Sequence, residues 1–254
     1  MTRAFILILL LGVSLALASP QRPAGVLRLR VRVKQTDTAP AKGLARKRFF
    51  LVRGNLEQNR ALVTAINQQP LVTRDCYYSR LGASPALINW LKESDCESVY
   101  CRVIEQEYLS GAKAVPEFVN AFAASVKDFG SDVTARKWLS TNLPANLRDG
   151  FYRDRQSTIA ALVKIAETNS GTVVQSVMTD RNGTAYFTEL EPGAYILSNL
   201  VPTQIGESLV TWNCEIQVKP GDIATEKPLL ISNKADRNVK CVAVVKPLPA
   251  CEKQ

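Results

Sequence analysis

Residues 179–197 read Thr-Asp-Arg-Asn-Gly-Thr-Ala-Tyr-Phe-Thr-Glu-Leu-Glu-Pro-Gly-Ala-Tyr-Ile-Leu. Asn182-Gly183 combines two residue types that tolerate positive φ, as a type I′ hairpin turn requires. Pro192-Gly193 fits the centre of a type II turn, because proline sets φ and glycine accepts φ > 0. Apolar and polar residues alternate on both sides of these turns, which is the period of a half-buried strand. The stretch therefore predicts two hairpin turns and three short strands of an antiparallel sandwich.

This stretch also resembles the signature TDxxGxxxFxxLxPGxYxL of carboxypeptidase regulatory-like and transthyretin-like β-sandwiches, which are related to the B-type repeats of bacterial collagen adhesins and pilins. The matching positions, with Phe187 one place nearer the glycine than in the signature, are Thr179, Asp180, Gly183, Phe187, Leu190, Pro192, Gly193, Tyr195 and Leu197. The opening strands of the family resemble residues 26–34 and 43–52, and its closing strands resemble residues 209–218 and 229–232.

The resemblance implies an antiparallel, prealbumin-like β-sandwich of about seven strands. The chain departs from the compact family pattern by a mainly α-helical insertion between the second and third strands, so the predicted fold class is α+β. The predicted divisions are a signal peptide at 1–18, a discontinuous sandwich domain at 19–54 and 171–236, the helical insertion at 55–170 and a cysteine-containing tail at 237–254. One fold hosts many functions, so the resemblance specifies the architecture better than the activity.

Helical periodicity predicts several helices between residues 55 and 170. Asn55 is the predicted cap of a first helix, Ser84 and Pro85 begin another, and Ser131 caps a third. Two apolar stripes have helical spacing, and their members are Phe118, Phe122, Val126 and Phe129 in one and Ile159, Leu162, Val163 and Ala166 in the other. The second of these helices is predicted to end at Asn169-Ser170-Gly171.

The N-terminus has the features of a secretory signal peptide. Arg3 precedes an apolar run over residues 4–17, and Ala16-Leu17-Ala18 offers small residues to a signal peptidase, which predicts a mature start at Ser19. No later segment approaches eighteen consecutive apolar residues, so nothing else is expected to cross a membrane. These features predict a secreted or periplasmic protein.

Six cysteines in an exported chain predict disulfides. Cys76, Cys96 and Cys101 lie mid-chain and Cys214, Cys241 and Cys251 near the end, so either one bridge joins the two groups or two thiols stay free. The preferred pairs are Cys76 with Cys96 or Cys101, and Cys241 with Cys251 or Cys214. No metal site is expected, because the chain has no histidine and no Cys-x-x-Cys.

The net charge of +9 is concentrated near the start of the mature chain. In the first predicted strand, Arg28, Arg30, Arg32 and Lys34 share one face and form a row of cations about 7 Å apart. The row has two interpretations. It protects an exposed edge strand from pairing with another chain, or it binds an envelope protein or an anionic surface polymer. Nucleic acid is not expected, since no aromatics are interleaved on that face.

The absence of histidine removes the imidazole base of most hydrolases, and no nucleotide-binding motif is present. No cofactor and no catalytic residue are therefore assigned. A glycan-acting hydrolase with carboxylates in the helical insertion remains the alternative. Its candidate acids are Glu93, Asp95, Glu97, Glu105 and Glu107. The preferred prediction is a non-catalytic exported structural or binding protein of the bacterial cell envelope.

The resemblance raises one covalent possibility, the Lys–Asn isopeptide crosslink of adhesin and pilin domains. Lys34 and Asn233 stand near the corresponding places. Lys34, however, belongs to the polar face of its strand, where its ammonium keeps its hydration instead of losing it in an apolar core. The family glutamate, two residues past Leu197, is Asn199 in this chain. The sequence therefore argues against the crosslink.

Overall fold

Strands open the described chain, helices follow, and further strands close it. The structure, a computed structural model, describes residues 25–70, 72–219 and 228–251. The opening strands are β1 (Gly25–Val33), β2 (Lys42–Gly43) and β3 (Arg48–Arg53). The helices are α1 (Arg60–Asn67), α2 (Arg74–Arg80), α3 (Pro85–Glu93), α4 (Pro116–Phe129), α5 (Asp132–Trp138) and α6 (Phe151–Ser170). The closing strands are β4 (Gln175–Met178), β5 (Thr184–Leu190), β6 (Gly193–Ser198), β7 (Thr203–Ile205), β8 (Ser208–Thr211), β9 (Asn213–Val218), β10 (Leu229–Ser232), β11 (Cys241–Val242) and β12 (Val244–Pro247). The protein is thus an α+β structure.

The first sheet is centred on β1. Its order is β11-β10-β1-β2, and β5 also pairs with β1. The pairings of β1 with β5 and β2 are antiparallel, but β1 with β10 and β10 with β11 are parallel. The prediction of a purely antiparallel structure is therefore wrong for this sheet. Parallel neighbours need a long crossover connection, and almost two hundred residues separate β1 from β10.

The second sheet has the order β4-β3-β6-β9, and all its pairings are antiparallel. The helices therefore lie in sequence between two strands that pair directly, since Arg48 faces Met178 and Leu51 faces Gln175. A third sheet of three strands has the order β12-β8-β7. The three sheets bring the start and the end of the described chain together.

All three sheets contribute to one hydrophobic core. Leu29 and Val31 of the first sheet belong to the same buried cluster as Phe187, Tyr195 and Leu197. Other buried members of this cluster are Val33, Phe49, Leu51, Leu190, Ile205, Val210, Trp212, Val218, Ile231 and Cys241. Burying one such large apolar side chain contributes about 1.5–3 kcal/mol, so this cluster is a principal source of stability. The expected contact between the opening strand and the late strands is confirmed.

The turn at Asn182-Gly183 is not a hairpin, contrary to the sequence prediction. It joins β4 of the second sheet to β5 of the first, so the chain crosses from one sheet to the other. Gly183 has φ 76°, but Asn182 is not among the positive-φ residues of the described chain, so the turn is not type I′. The Asp180 carboxylate organises it by accepting from the backbone N–H groups of Asn182 and Thr184, each at 2.8 Å.

The turn at Pro192-Gly193 has the same role. It joins β5 of the first sheet to β6 of the second, so it too is not a hairpin. Gly193 has φ 153°, far from the value near +80° that a type II turn requires. Both turn predictions placed the reversal correctly but assigned the wrong partner strand. Turn residues encode a local change of direction, whereas the partner strand depends on which apolar faces meet.

Helices α1 and α6 cover the outer face of the second sheet. Phe50 and Val52 of β3 pack there with Leu62, Leu162 and Ala166. As a result, β3 is buried on both faces from Phe49 to Val52. The predicted stripe on α6 is confirmed at its centre, and the helix ends at Gly171 with φ 64°, as the sequence indicated.

Helices α2, α3 and α4, together with the first residue of α6, build a second core around Trp90 and Phe118. Ser84 caps α3 as predicted, since its Oγ accepts the Leu87 N–H at 3.1 Å. Asn55 does not cap α1, which begins at Arg60. Instead, the Asn55 side chain accepts from the Gln58 backbone at 2.8 Å in the turn before the helix. Ser131 precedes α5 but makes no capping hydrogen bond, and Phe129 is exposed instead of buried.

Candidate functional site

The basic row lies on the outer face of the first sheet. Leu29, Val31 and Val33 point into the core, so the alternation of β1 places Arg28, Arg30 and Arg32 on the opposite face. Arg28 and Arg30 are half-buried and Arg32 is exposed. The periodicity of the sequence thus predicted their shared face correctly.

Strand β1 is not an edge strand. Residues 29–32 pair with β10 on one side, and residues 25–30 pair with β5 on the other. The interpretation that the row protects an exposed edge is therefore wrong for Arg30 and Arg32, which have a paired strand on both sides, whereas Arg28 pairs with β5 alone among the described strands. The interpretation could not be tested from the sequence, because edge status depends on strands almost two hundred residues away.

The neighbours of the row are uncharged. The cross-strand partners of the three arginines in the described strands are Tyr186, Thr184, Leu230, Ser232 and Gly43. Arg28 lies over the Tyr186 ring with its Cζ 5.8 Å from the ring centroid, and Arg32 donates to the Ala41 carbonyl at 2.6 Å. The Nε atoms of Arg28 and Arg30 are buried without a hydrogen-bond partner. Within the described residues, none of the three arginines pairs with a carboxylate. Tyr186 is the member of this face that the sequence analysis missed, because only the register places it beside Arg28.

Lys34 lies just beyond β1 and in a different environment. The Lys34 backbone N–H donates to Asn233 Oδ1 at 3.0 Å, and Asn233 Nδ2 donates to the Lys34 carbonyl at 2.8 Å. Both polar groups of the Asn233 side chain are thus engaged by the backbone of Lys34, an arrangement that differs from a lysine–asparagine side-chain crosslink. The nearby Asp37 has its pKa lowered by a hydrogen bond from Lys234 and, to a smaller extent, by the charge of Lys34. The contacts with Asn233 fix the backbone of Lys34 just past the last residue of β1.

The acidic residues of the helical segment are mostly engaged in ion pairs. Asp95 forms an ion pair with Lys47 at 2.7 Å and lies 3.6 Å from Arg74. The pair with Lys47 links the loop before β3 to the helices. Glu97 lies 3.4 Å from Arg155, and Glu107 lies 3.1 Å from Lys113.

Glu93 accepts a hydrogen bond from Arg102 at 2.8 Å and another from the Tyr108 hydroxyl at 3.1 Å. The bond from Arg102 is the main cause that lowers the pKa of Glu93. Glu105 is exposed and makes no ion pair among the described residues. A general acid needs a raised pKa, and the surroundings of Glu93 act in the opposite direction.

All six cysteines form disulfides. The pairs are Cys76–Cys251, Cys96–Cys101 and Cys214–Cys241, with Cα–Cα distances of 5.1, 5.7 and 5.6 Å. The pairing of Cys241 with Cys214 agrees with one of the two predicted options, and one bridge joins the two groups of cysteines. The prediction for Cys76 is wrong, because α2 lies beside the end of the described chain. Three disulfides are consistent with an oxidising compartment.

Two kinds of feature are absent from the described residues. No group of three or more acidic or cysteine side chains there has the arrangement of a metal site. No helix in the same residues has both the length and the apolar character needed to cross a membrane. The predicted signal peptide at 1–18 lies outside the described residues.

No family model matches this chain, and no curated protein matches it. Among solved structures, the chain is similar to the pilus backbone protein RrgB of Streptococcus pneumoniae at 12% sequence identity. The match covers 76% of this chain and 33% of that one, with a TM-score of 0.24. The chain therefore spans about a third of the length of that structure, and a likeness this weak carries no argument.

Proposed function

We propose that this chain is a non-catalytic exported protein of the cell envelope, which binds an anionic partner through Arg28, Arg30 and Arg32. The partner is an envelope protein or an anionic surface glycan. The observation that carries the proposal is the placement of three arginines, without carboxylate partners among the described residues, on the outer face of a central strand. A sheet face with a fixed row of cations attracts a polyanion and fixes its direction.

The proposed architecture is a β-sandwich of the carboxypeptidase regulatory-like class, formed by residues 19–54 and 171–236. Its support is the single core shared by the sheets, together with the direct pairing of β3 and β4 on either side of the helices. Residues 55–170 then form an insertion. Residues 237–254 form a tail that adds β11 to the first sheet and β12 to the third, and the Cys76–Cys251 bridge joins it to α2. Such a scaffold holds the arginine row rigid, which lowers the entropy that binding must overcome.

We propose that the acidic segment, residues 93–107, has a structural role and not a hydrolase activity. Glu93, Asp95 and Glu97 each face a different cation, and these ion pairs hold the segment in place. Paired catalytic carboxylates would instead face one another across a sugar-sized space.

The test measures binding of the purified, disulfide-bonded chain to immobilised heparin as a model polyanion. The variant Arg28→Gln/Arg30→Gln/Arg32→Gln removes three charges from the row. The matched control, Lys127→Gln/Arg136→Gln/Lys164→Gln, removes three charges from exposed positions on the helices. We expect the row variant to elute at clearly lower salt than the control, because the row presents its charges in one line whereas the control residues lie on three different helices. Equal elution of the two variants would contradict the proposal.

A further inference from the structure

A second surface lies between the helices and the end of the second sheet. It is a cleft of about 880 Å³, and none of the three arginines of the basic row lines it. Its sheet side includes Arg46, Arg48 and Met178, and its helical side includes Tyr100 and Tyr152. Helix α6 forms part of its wall through Gln156 and Ile159.

The charges of this cleft are unbalanced. Its acids are Asp95, Glu97 and Asp149, and each of them lies in an ion pair, with Lys47, Arg155 and Arg153 respectively. Its exposed arginines, which are Arg46, Arg48 and Arg181, make no ion pair within the described residues. Arg48 only donates to Ser176 Oγ at 3.2 Å. Three guanidinium groups therefore remain available for carboxylates, which they bind in a bidentate geometry.

The cleft also presents large apolar groups to solvent. Tyr100 is 55% exposed, Tyr152 is 44% exposed and Met178 is 54% exposed. Tyrosine offers a rigid apolar ring with a polar end, and methionine adapts its shape to different partners. Such residues are enriched at binding surfaces, and here they lie within one cavity beside the unpaired arginines.

Strand β4 adds a backbone surface at the rim of the cleft. It is an edge strand, since it pairs only with β3 among the described strands. Its sequence, Gln175-Ser176-Val177-Met178, has no charge and no proline, so it lacks the usual protection of an edge. An extended peptide can add to such an edge through main-chain hydrogen bonds, whereas a glycan has no backbone of this kind.

We propose that this cleft binds an extended acidic peptide segment of a partner protein. The peptide backbone pairs with the free edge of β4. Its carboxylates meet Arg46 and Arg181, and its apolar side chains pack on Tyr100 and Tyr152. This site is separate from the arginine row, so it does not depend on the function proposed above.

The experiment selects binders from a random twelve-residue peptide library on phage, with the purified disulfide-bonded chain as bait. Enriched peptides are synthesised with a fluorescent label, and their affinity is measured by anisotropy. The test variant is Arg46→Glu/Arg181→Glu. The matched control is Lys127→Glu/Arg136→Glu, which makes the same change of charge on exposed helical positions outside the cleft.

We expect enriched peptides that combine Asp or Glu with apolar residues. Their affinity should fall at least about tenfold in the test variant, because each charge-assisted hydrogen bond is among the strongest polar contacts. The control and the Arg28→Gln/Arg30→Gln/Arg32→Gln variant should bind as the unchanged protein does. Hydrogen exchange should slow in residues 175–178 when the peptide is bound, which reports pairing along β4.

Three outcomes would overturn the proposal. The first is a selection that enriches no peptides, or enriches peptides without acidic residues. The second is equal affinity for the test variant and the control. The third is unchanged hydrogen exchange in β4 at saturating peptide together with displacement of the peptide by polygalacturonate oligomers, which would assign the cleft to an acidic glycan instead.

Discussion

At the scale of single residues, Gly183 occupies a turn, as the sequence predicted, but the structure requires glycine there for a different reason. The glycine has φ 76°, and a Cβ there would collide with the backbone carbonyl of Val31. Its backbone carbonyl in turn accepts the Val31 N–H at 2.8 Å. Gly183 is therefore required where the chain between β4 and β5 presses against β1, and not by a hairpin.

Replacing Gly183 with alanine should destabilise the protein by about 3 kcal/mol, because strain at positive φ adds to a backbone collision that no rotamer can relieve. Urea unfolding followed by far-ultraviolet circular dichroism measures the free energy of unfolding. Gly171→Ala is the matched control. Gly171 has φ 64° but open space around its would-be Cβ, so this change should cost only about 1–2 kcal/mol. Equal losses for the two variants would show that the close approach to Val31 is unimportant.

At the scale of elements, the tail after β11 is held in place by covalent and hydrogen bonds. Strand β12 pairs with β8, and Cys251 then bonds Cys76 of α2. This bridge closes a separation of 175 residues, whereas Cys96–Cys101 closes one of 5. A longer loop loses more conformational entropy in the unfolded chain when it is closed, so the first bridge should contribute more to stability.

Removal of the long bridge by Cys76→Ala/Cys251→Ala should lower the free energy of unfolding by up to about 5 kcal/mol, from the loop-entropy relation. Removal of the short bridge by Cys96→Ala/Cys101→Ala should cost about 2 kcal/mol on the same relation. Each variant replaces one buried and one exposed cysteine, so each is a control for the other. Chemical denaturation gives the two values, and a larger loss for the short bridge would contradict the entropic account.

At the scale of the whole molecule, the buried apolar residues of the described chain form three separate hydrophobic clusters. The cluster around Trp212 joins the sheets, and the cluster of Phe50, Leu62 and Leu162 joins the second sheet to α1 and α6. The cluster around Trp90 contains only residues between β3 and β4. Helix α6 links it to the second sheet, since Phe151 of α6 lies in this cluster and Leu162 lies in the cluster on that sheet. Further links are the Lys47–Asp95 ion pair and, through the tail, the Cys76–Cys251 bridge. The helical cluster shares no buried residue with the other two clusters, so we expect it to be the part least firmly packed on the sheets.

We expect the helical cluster to unfold at lower urea than the sheets once the disulfides are reduced. Two variants with a single tryptophan report the two regions. Trp138→Phe/Trp212→Phe keeps Trp90, and Trp90→Phe/Trp138→Phe keeps Trp212, while Trp138 itself is 46% exposed. Fluorescence should give a lower midpoint for Trp90 than for Trp212, because separate cores unfold separately when few contacts join them. Coincident midpoints under reducing conditions would show one cooperative unit.

The sequence by itself determined the elements and their faces. Alternation placed Leu29 and Val31 inward and Arg28 and Arg30 outward, and helical spacing placed Leu162 and Ala166 on the buried side of α6. These properties depend on residue type and on the spacing of apolar residues over a few positions, so they can be predicted from the sequence.

Only the tertiary structure decided which elements meet. It made β1 a central strand, turned two predicted hairpins into crossings between sheets, and joined Cys76 to Cys251. It also formed the cleft in which Arg46 and Arg181 lie with Tyr100 and Tyr152. The physical reason is that burial of apolar faces does not depend on sequence separation. A turn motif fixes the local path of the chain, while the best-packed core selects partners across almost two hundred residues.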